Sequence, residues 1–103
     1  MSISDALRAI AEPRRRRILM LIWEQEMSAG EIASYFDISR PAISQHLRVL
    51  REARLVRERR EGTRRLYSIC GASAAELSRF MEHFCEGDFL WDEEVDGQLL
   101  AVA

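Results

Sequence analysis

The sequence predicts one mainly α-helical domain with a small β-hairpin. Apolar residues recur at helical spacing along most of the chain, and two short β-prone runs flank a glycine between residues 55 and 69. A length of 103 residues suits a single hydrophobic core, and an apolar content of 48% with dispersed polar residues is typical of a globular protein. We therefore expect a single domain over residues 1–103.

A proline separates the first two predicted helices. Ser4 can cap a short helix that carries Leu7 and Ile10 and ends near Glu12, because Pro13 disfavours helical backbone in the residue before it. Pro13 suits the first turn of a second helix, which has a broad apolar face: Ile18, Leu19, Leu21 and Ile22. Residues 14–17 are four arginines at the start of this helix, where positive charge opposes the helix dipole, and a nearby phosphate would explain them.

The next two predicted helices form a helix-turn-helix over residues 28–53. Ser28 and Glu31 have the spacing of a capping box and open a third helix with Ile32 and Phe36 facing inward. After a tight connection, Ser39 caps a fourth helix with one apolar face: Ile43, Leu47 and Leu50. Two short capped helices joined by a tight turn are typical of this motif.

An arginine-rich hairpin follows the fourth helix over residues 55–69. Its β-prone runs are residues 55–60 and 64–69, separated by a turn at residues 61–63, and they contain five arginines. A hairpin in this position is the wing of a winged helix-turn-helix. The predicted order is therefore four helices, two strands, a fifth helix and a short C-terminal extension.

The last part of the chain, residues 72–100, is predicted to serve dimerisation. A fifth helix begins near Ala72, ends before Gly87 and carries more apolar surface than the edge of one small domain needs: Leu77, Phe80, Met81 and Phe84. We therefore expect two copies of the chain to associate through this stripe. The tail that follows mixes apolar residues with five acidic ones, and we interpret it as a short additional helix.

Charge is distributed unevenly along the chain. Residues 1–69 contain 14 arginines and nine acidic residues, a net charge of +5, whereas residues 70–103 have a net charge of −7. A basic helix with a basic hairpin beside it fits duplex DNA, with the helix in the major groove and the hairpin along the flanking backbone or narrow minor groove. The predicted DNA-binding residues are Ser39, Arg40, Pro41, Ser44, Gln45, Arg48, Arg51, Arg59, Arg60, Thr63, Arg64 and Arg65.

Position along the fourth helix suggests different contacts for these residues. Gln45 can pair with adenine, Ser44 can donate or accept, and Arg40 can reach guanine or a phosphate. The arginines at positions 48 and 51 are better placed for the DNA backbone. We expect His46 to be half-buried and to pack the helix against its neighbour rather than to read a base.

The sequence from residue 9 to residue 67 resembles the ArsR/SmtB family of winged-helix repressors. The similar segments are residues 11–19 (AEPRRRRIL), 28–33 (SAGEIA), 38–50 (ISRPAISQHLRVL), 55–56 (LV) and 59–62 (RREG) before 66–67 (LY). The resemblance implies a homodimer formed by the first and fifth helices, which adds Leu7 to the predicted interface. It also implies binding to an imperfect palindrome near the protein's own promoter, and release by an effector.

The sequence departs from that family at the effector sites. Ala33 and Tyr35 occupy the positions of a Cys-x-Cys metal site in the third helix. Residues 83–86 supply half of a second family site, but Cys70 and Ala72 stand where its other half is needed. Since zinc needs three or four converging ligands, we expect no metal and no other cofactor. The tail resembles a non-metal branch of the family, whose members are autorepressors or respond to partner proteins.

Two alternatives remain open for the same fold. In the first, oxidation of Cys70 or Cys85 releases DNA; about 22 Å of helix separates the two within one chain, so a Cys85 pair would form across a dimer axis. In the second, the winged helix binds a protein, which the acidic tail favours and the basic hairpin disfavours.

Other functions lack support in the sequence. There is no phosphate-binding loop, nucleophile elbow or metalloprotease motif, so we predict that the protein is not an enzyme. No apolar run is long enough to span a bilayer, and the first residues lack the features of a signal peptide. We therefore expect a cytoplasmic protein with no membrane partner.

Overall fold

The computed structural model describes residues 1–85, 90–91 and 99–100, with side chains for residues 1–83. Its helices are α1 (Ile3–Ile10), α2 (Pro13–Leu21), α3 (Ala29–Ala33), α4 (Arg40–Glu52) and α5 (Gly71–Cys85). A three-stranded sheet consists of β1 (Met27–Ser28), β2 (Val56–Glu61) and β3 (Arg64–Ile69). The prediction of a mainly helical fold with a small hairpin is confirmed.

Helix α1 begins two residues earlier than the sequence analysis predicted. The Ser2 hydroxyl accepts the backbone N–H of Asp5 at 3.2 Å, so Ser4 lies inside the helix and its predicted capping role is wrong. Leu7 is 37% exposed, because the buried face of α1 is formed by small residues: Ala6 and Ala9. Short side chains on this face allow α1 to pack closely against α2 and α4.

Arginines at the start of α2 stabilise the end of α1. The Arg15 guanidinium donates to the carbonyl oxygen of Ala9 at 2.6 Å, and the Arg16 guanidinium donates to that of Ile10 at 2.7 Å. The last carbonyls of a helix lack intrahelical donors and carry partial negative charge. The sequence suggested that a phosphate would balance the charge of residues 14–17. For Arg15 and Arg16, the carbonyl oxygens at the end of α1 are the partners instead.

The helix-turn-helix forms as predicted from its two serine caps. The Ser28 hydroxyl accepts the backbone N–H of Glu31, and the Glu31 carboxylate accepts that of Ser28, both at 3.1 Å, which completes the capping box. Ser39 caps α4 by accepting the backbone N–H of Ala42 at 3.3 Å. The largest fully buried side chains of the described residues come from α2, α3, α4 and their ends: Ile18, Ile22, Ile32, Ile43, Leu47 and Leu50.

Phe36 lies beyond α3 rather than within it. The chain leaves α3 through tighter turns, in which the backbone N–H of Tyr35 donates to Ile32 and that of Phe36 donates to Ala33. Phe36 still packs against the core, as predicted, and the Arg17 guanidinium lies 5.0 Å from the centre of its ring. This cation–π contact uses a third arginine of residues 14–17 within the fold.

Strand β1 was not predicted. Met27 lies opposite Tyr67 and Ser28 opposite Leu66, so that β3 is the central strand of the order β1-β3-β2. A strand of two residues is too short to show an alternating pattern, and for this reason the sequence gives no signal for it. Because Ser28 also caps α3, β1 attaches the start of the helix-turn-helix directly to the hairpin.

The hairpin turns in two residues, Gly62 and Thr63, rather than in the predicted three, because Glu61 pairs with Arg64. Gly62 has φ of +63°, whereas Thr63 has a negative φ. A positive φ at the first loop position alone is the pattern of a type II′ turn, which favours glycine there. This turn keeps β2 and β3 in register, so that Glu58 lies opposite Tyr67 and Arg60 opposite Arg65.

The C-terminal extension contains a short strand pair. β4 (Leu90–Trp91) and β5 (Leu99–Leu100) are antiparallel, with Leu90 opposite Leu100. The additional helix predicted for this tail is wrong at these four residues. These four residues pair side by side, and apolar cross-strand pairs stabilise short antiparallel strands. No helix of the described residues is long and apolar enough to cross a membrane.

A left-handed residue ends α4 and turns the chain into the hairpin. Arg54 has φ of +63°; its N–H donates to the carbonyl of Arg51 at 2.9 Å, and the N–H of Leu55 donates to that of Leu50 at 3.0 Å. These two bonds make a Schellman motif, whose left-handed position is usually glycine. The buried pair Leu50 and Leu55 accompanies it. The strain at Arg54 is thus the cost of bringing β2 back beside α4.

We expect Arg54→Gly to stabilise the protein. A residue with a Cβ in the left-handed conformation destabilises the folded state by about 1–2 kcal/mol, and glycine removes this strain. Because glycine also has more freedom in the unfolded chain, the net gain in the free energy of unfolding should be about 0.5–1 kcal/mol. Urea denaturation measures the change. Arg48→Gly is the matched control, because the same substitution inside α4 should destabilise by about 1 kcal/mol. A destabilised Arg54→Gly protein would contradict this account of the helix end.

A second prediction concerns acid. The backbone N–H of Ser28 and the Arg64 guanidinium hold the pKa of Glu31 below its usual value. A carboxyl with a lowered pKa in the folded state stabilises the fold above its unfolded pKa of about 4.3, and this stabilisation is lost as the pH falls through the folded value. Glu31→Gln should therefore melt below the wild type at pH 7, and the gap should close as the pH falls below about 4.

The control for the acid prediction is Glu24→Gln. Glu24 is exposed and has no ion pair with another described residue, so its variant should melt like the wild type over the same pH range. A gap between wild type and Glu31→Gln that stays constant from pH 7 to pH 3 would show that the charge of Glu31 does not stabilise the fold.

Candidate nucleic-acid interface

Burial of one face of α4 leaves the opposite face in solvent. The exposed residues of this face include both residues predicted to contact bases, Ser44 and Gln45, together with Arg40, Pro41 and Arg48. Ser39 is also exposed, but its hydroxyl is engaged as the cap of α4. The structure therefore places the predicted reading residues of α4 on one accessible surface.

A cleft of about 560 Å³ lies between α4 and the β2–β3 hairpin. Seven of the predicted DNA-binding residues line it: Arg40, Ser44, Arg48, Arg51, Thr63, Arg64 and Arg65. Ser28, Ala29 and Gly30 from the start of α3 complete one side, and a Cβ on Gly30 would lie 3.4 Å from the guanidinium of Arg40. Five arginines and a single carboxylate, that of Glu58, line the cleft, so it attracts anions.

Most of these arginines already have carboxylate partners. Arg48 contacts Glu52 at 2.9 Å, and Arg64 contacts Glu31 at 2.7 Å. Glu58 contacts both Arg51 and Arg65, the latter at 3.5 Å. The guanidiniums are about half exposed. The pairs with Glu52 and Glu31 have an exposed carboxylate as well, and exposed ion pairs are worth about 0–1 kcal/mol each. An anion can therefore compete for Arg48 and Arg64.

Arg59 lies on the other face of the hairpin. Strand residues alternate between faces, so Arg59 and Glu61 point away from the side that carries Glu58 and Arg65. Arg59 binds Glu26 through two nitrogens, at 2.6 and 2.8 Å, and Glu61 at 2.9 Å. These contacts lower the pKa of Glu26 and raise that of Arg59. Arg59 thus ties β2 to the residue before β1, and its predicted DNA contact stays a prediction.

Arg60 differs from the other three hairpin arginines that were predicted to bind DNA, Arg59, Arg64 and Arg65. It is exposed, lies on the same face as Glu58, and has no ion pair with any residue that the structure describes. If Arg60 binds a phosphate, as predicted, it therefore does not first have to break an ion pair with a described carboxylate.

His46 is half-buried, as predicted. Its side chain is 16% exposed, and its Nδ1 atom is buried 4.0 Å from a carboxylate oxygen of Glu12, which caps α2. Burial raises the pKa of the Glu12 carboxyl, but the backbone N–H of Arg15 and the facing His46 ring outweigh burial and lower it. His46 therefore connects α4 to the α1–α2 junction and is not on the surface that faces the cleft.

The predicted dimerisation residues fall into two groups. Leu7 is 37% and Met81 is 47% exposed, whereas Leu77 and Phe80 are half-buried. Phe84 lies outside the residues whose side chains are described. Two further apolar side chains, for which no role was predicted, are also exposed: Met20 on α2 and Trp23 after it. An apolar residue at helical spacing is typical of a core position, so the sequence carries no signal that Met20 is exposed.

The predictions about thiols and metals concern α5 and α3. Cys70 is half-buried just before α5, and the Ser73 hydroxyl donates to its sulfur at 3.5 Å. This contact and the nearby Arg57 guanidinium lower the pKa of the thiol to about 7. The redox alternative stays a prediction. Among the described residues, no three His, Cys, Asp or Glu side chains are grouped to hold a metal ion.

The carboxylates of the interface were missed by the sequence analysis. Glu26, Glu31 and Glu58 each engage an arginine that the sequence assigned to DNA. Two of these pairs join residues 33 positions apart, which no local pattern reveals. The excess of arginine over acid between residues 40 and 65 was the available signal, and it indicated the sign of the surface but not the pairing.

Comparison with known proteins gives a consistent family. Residues 12–58 match the family described as bacterial regulatory protein, arsR family. The transcriptional repressor SdpR of Bacillus subtilis is 40% identical over 67 residues, which are 65% of this chain and 74% of that protein. The HTH-type transcriptional regulator Rv2034 of Mycobacterium tuberculosis is 40% identical over 79 residues, which are 77% and 74% of the two chains.

A solved structure extends the similarity to the fold. The crystal structure of a possible transcriptional regulator for arsenical resistance has a TM-score of 0.72 and 40% identity, and the match covers 89% of this chain and 90% of that one. These relatives are transcriptional regulators and not enzymes, which agrees with the sequence analysis. The winged helix-turn-helix, the arginine-lined cleft and these similarities together show that the chain belongs to the ArsR family of transcriptional regulators.

Proposed function

We propose that the protein is a homodimeric repressor that acts in the cytoplasm and binds an imperfect palindrome in duplex DNA. In this proposal α4 occupies the major groove, and the β2–β3 hairpin follows the flanking backbone. The observation that carries the proposal is the cleft between these two elements, which five arginines and one glutamate line. A basic cleft beside an exposed polar helix face suits a polyanion that also presents base edges.

Two kinds of contact follow from this placement. Ser44 and Gln45 are exposed in the first half of α4, the part of a recognition helix that reaches base edges. The arginines of the cleft, which Ser44 also lines, and the exposed Arg60 on β2 would neutralise phosphates. Base contacts carry sequence information, whereas phosphate contacts mainly provide affinity and salt dependence. The proposal therefore assigns specificity to α4 and most of the affinity to arginine.

The dimer would be formed by α1 and α5. Leu7 and Met81 are exposed apolar residues on these helices, while Leu77 packs against the core and Phe80 is half-buried. A two-fold axis between two copies would present two α4 helices to the same side of the duplex. Half-sites about 34 Å apart, one turn of B-DNA, would then be read as a palindrome.

The first test separates base contacts from phosphate contacts. Operator duplexes are selected from a random pool, and binding is measured against salt for the wild type, Gln45→Ala and Arg60→Ala. Gln45→Ala should lose about 1–3 kcal/mol of binding free energy on the operator and much less on random DNA. It should also lose the preference for one base pair in each half-site. Arg60→Ala should weaken both duplexes alike and lower the salt slope by about 0.9 for each phosphate that is no longer neutralised.

The two variants must therefore differ in kind. A changed sequence preference in Arg60→Ala, with uniform weakening in Gln45→Ala, would reverse the roles of helix and hairpin. If the pool yields no preferred duplex, the proposal of sequence-specific binding fails, and the protein-binding alternative gains support.

The second test concerns the dimer. Met81→Glu should convert the protein to monomers in sedimentation velocity and weaken operator binding at least about tenfold, because a charge buried at an interface is costly and a monomer holds one half-site. Met20→Glu is the matched control on α2, where methionine is 76% exposed, and it should leave both properties unchanged. If Met20→Glu gave monomers and Met81→Glu did not, the dimer interface would lie on α2 and the proposed interface of α1 and α5 would be wrong.

A further inference from the structure

Glu58 joins the recognition helix to the hairpin. One oxygen of its carboxylate accepts the Arg51 guanidinium from the last turn of α4, and the other lies 3.5 Å from Nε of Arg65 on β3. The Glu58 side chain is only 16% exposed, although its partners are 46% and 53% exposed. A single shielded carboxylate therefore holds two guanidiniums that belong to different elements.

The Glu58 carboxylate lies where its negative charge weakens the binding of an anion. Glu58 is the one acidic residue in the lining of the cleft, where its charge repels phosphate. It lies opposite Tyr67 in the strand register, and burial together with the Glu58 charge raises the pKa of Tyr67. The lining of the cleft thus combines the buried Tyr67 and the shielded Glu58 carboxylate, which lie opposite each other, with five arginines.

We propose that Glu58 is a positioning residue that makes DNA binding selective for sequence. It fixes the Arg51 and Arg65 guanidiniums relative to one another, and so fixes how the hairpin sits on the backbone while α4 reads bases. A complex with the operator needs both elements in one register, whereas a complex with random DNA accepts many arrangements. Glu58 therefore weakens random binding through its charge and strengthens operator binding through preorganisation. This inference rests on the proposed function.

The test compares two neutral variants on one strand. Glu58→Gln removes the shielded carboxylate, and Glu61→Gln removes a 59% exposed carboxylate from the other face of the hairpin. Dissociation constants are measured for the selected operator and for a random duplex at fixed salt. Both variants should bind random DNA more tightly than the wild type. Glu58→Gln should lower the ratio of operator to random affinity about tenfold, a coupling typical of residues in contact, whereas Glu61→Gln should keep it within about twofold.

A second comparison asks whether Glu58 acts through its two partners. In a background carrying Arg51→Ala and Arg65→Ala, adding Glu58→Gln should no longer change the ratio, since there are no guanidiniums left to position. A ratio that falls by the same factor in this background would overturn the proposal, and so would equal effects of Glu58→Gln and Glu61→Gln in the native background.

Melting curves distinguish positioning from folding. Glu58→Gln should remain folded at the assay temperature, because its pairs involve exposed guanidiniums. Unfolding of this variant would overturn the positioning role in favour of a structural one. Absence of any selected duplex for the wild type would refute the proposed function itself, whereas a selected duplex with an unchanged ratio in Glu58→Gln would refute only this inference.

Discussion

The burial of one face of α4 is the constraint on which the interface depends. Ile43, Leu47 and Leu50 are each at most 1% exposed, and burying such a side chain contributes about 1.5–3 kcal/mol. An exposed ion pair contributes about 0–1 kcal/mol. The hydrophobic contacts therefore set the axis and rotation of α4, and the ion pairs only orient side chains on it. With 3.6 residues per turn, this rotation leaves Ser44 and Gln45 in solvent.

The arginines of the chain perform different tasks despite their common chemistry. Arg15 and Arg16 complete the hydrogen bonds at the end of α1, and Arg59 joins β2 to Glu26. These guanidiniums hold the scaffold, whereas those of the cleft face the surface that α4 and the hairpin share. The number of arginines in a segment consequently overstates the number of guanidiniums that a ligand meets, because backbone carbonyls and glutamates already engage some of them.

Local features of the fold were predictable and distant pairings were not. The caps at Ser28 and Ser39, and the face of α4 opposite its buried residues, depend on spacings of three or four residues. At the start of α1 the cap was predicted at Ser4 but lies at Ser2; both residues are serines, so cap propensity does not distinguish the two positions. Strand β1 and the pair of Glu31 with Arg64 depend on residues brought together only by the folded chain. The site was therefore predicted as a set of side chains, without the carboxylates that organise it.

Exposure of the carboxylate, rather than the length of the ion pair, decides which arginines can change partner on DNA. Glu52 is 61% exposed, so it can stay hydrated when Arg48 moves to a phosphate. Glu31 keeps the backbone N–H of Ser28 as a donor when Arg64 leaves. Glu58 is shielded, and removing both guanidiniums from it would leave a poorly solvated charge, which is costly. Under the proposed function, Arg48 and Arg64 are thus free to exchange partners, while Arg51 and Arg65 would contact DNA together with the Glu58 carboxylate.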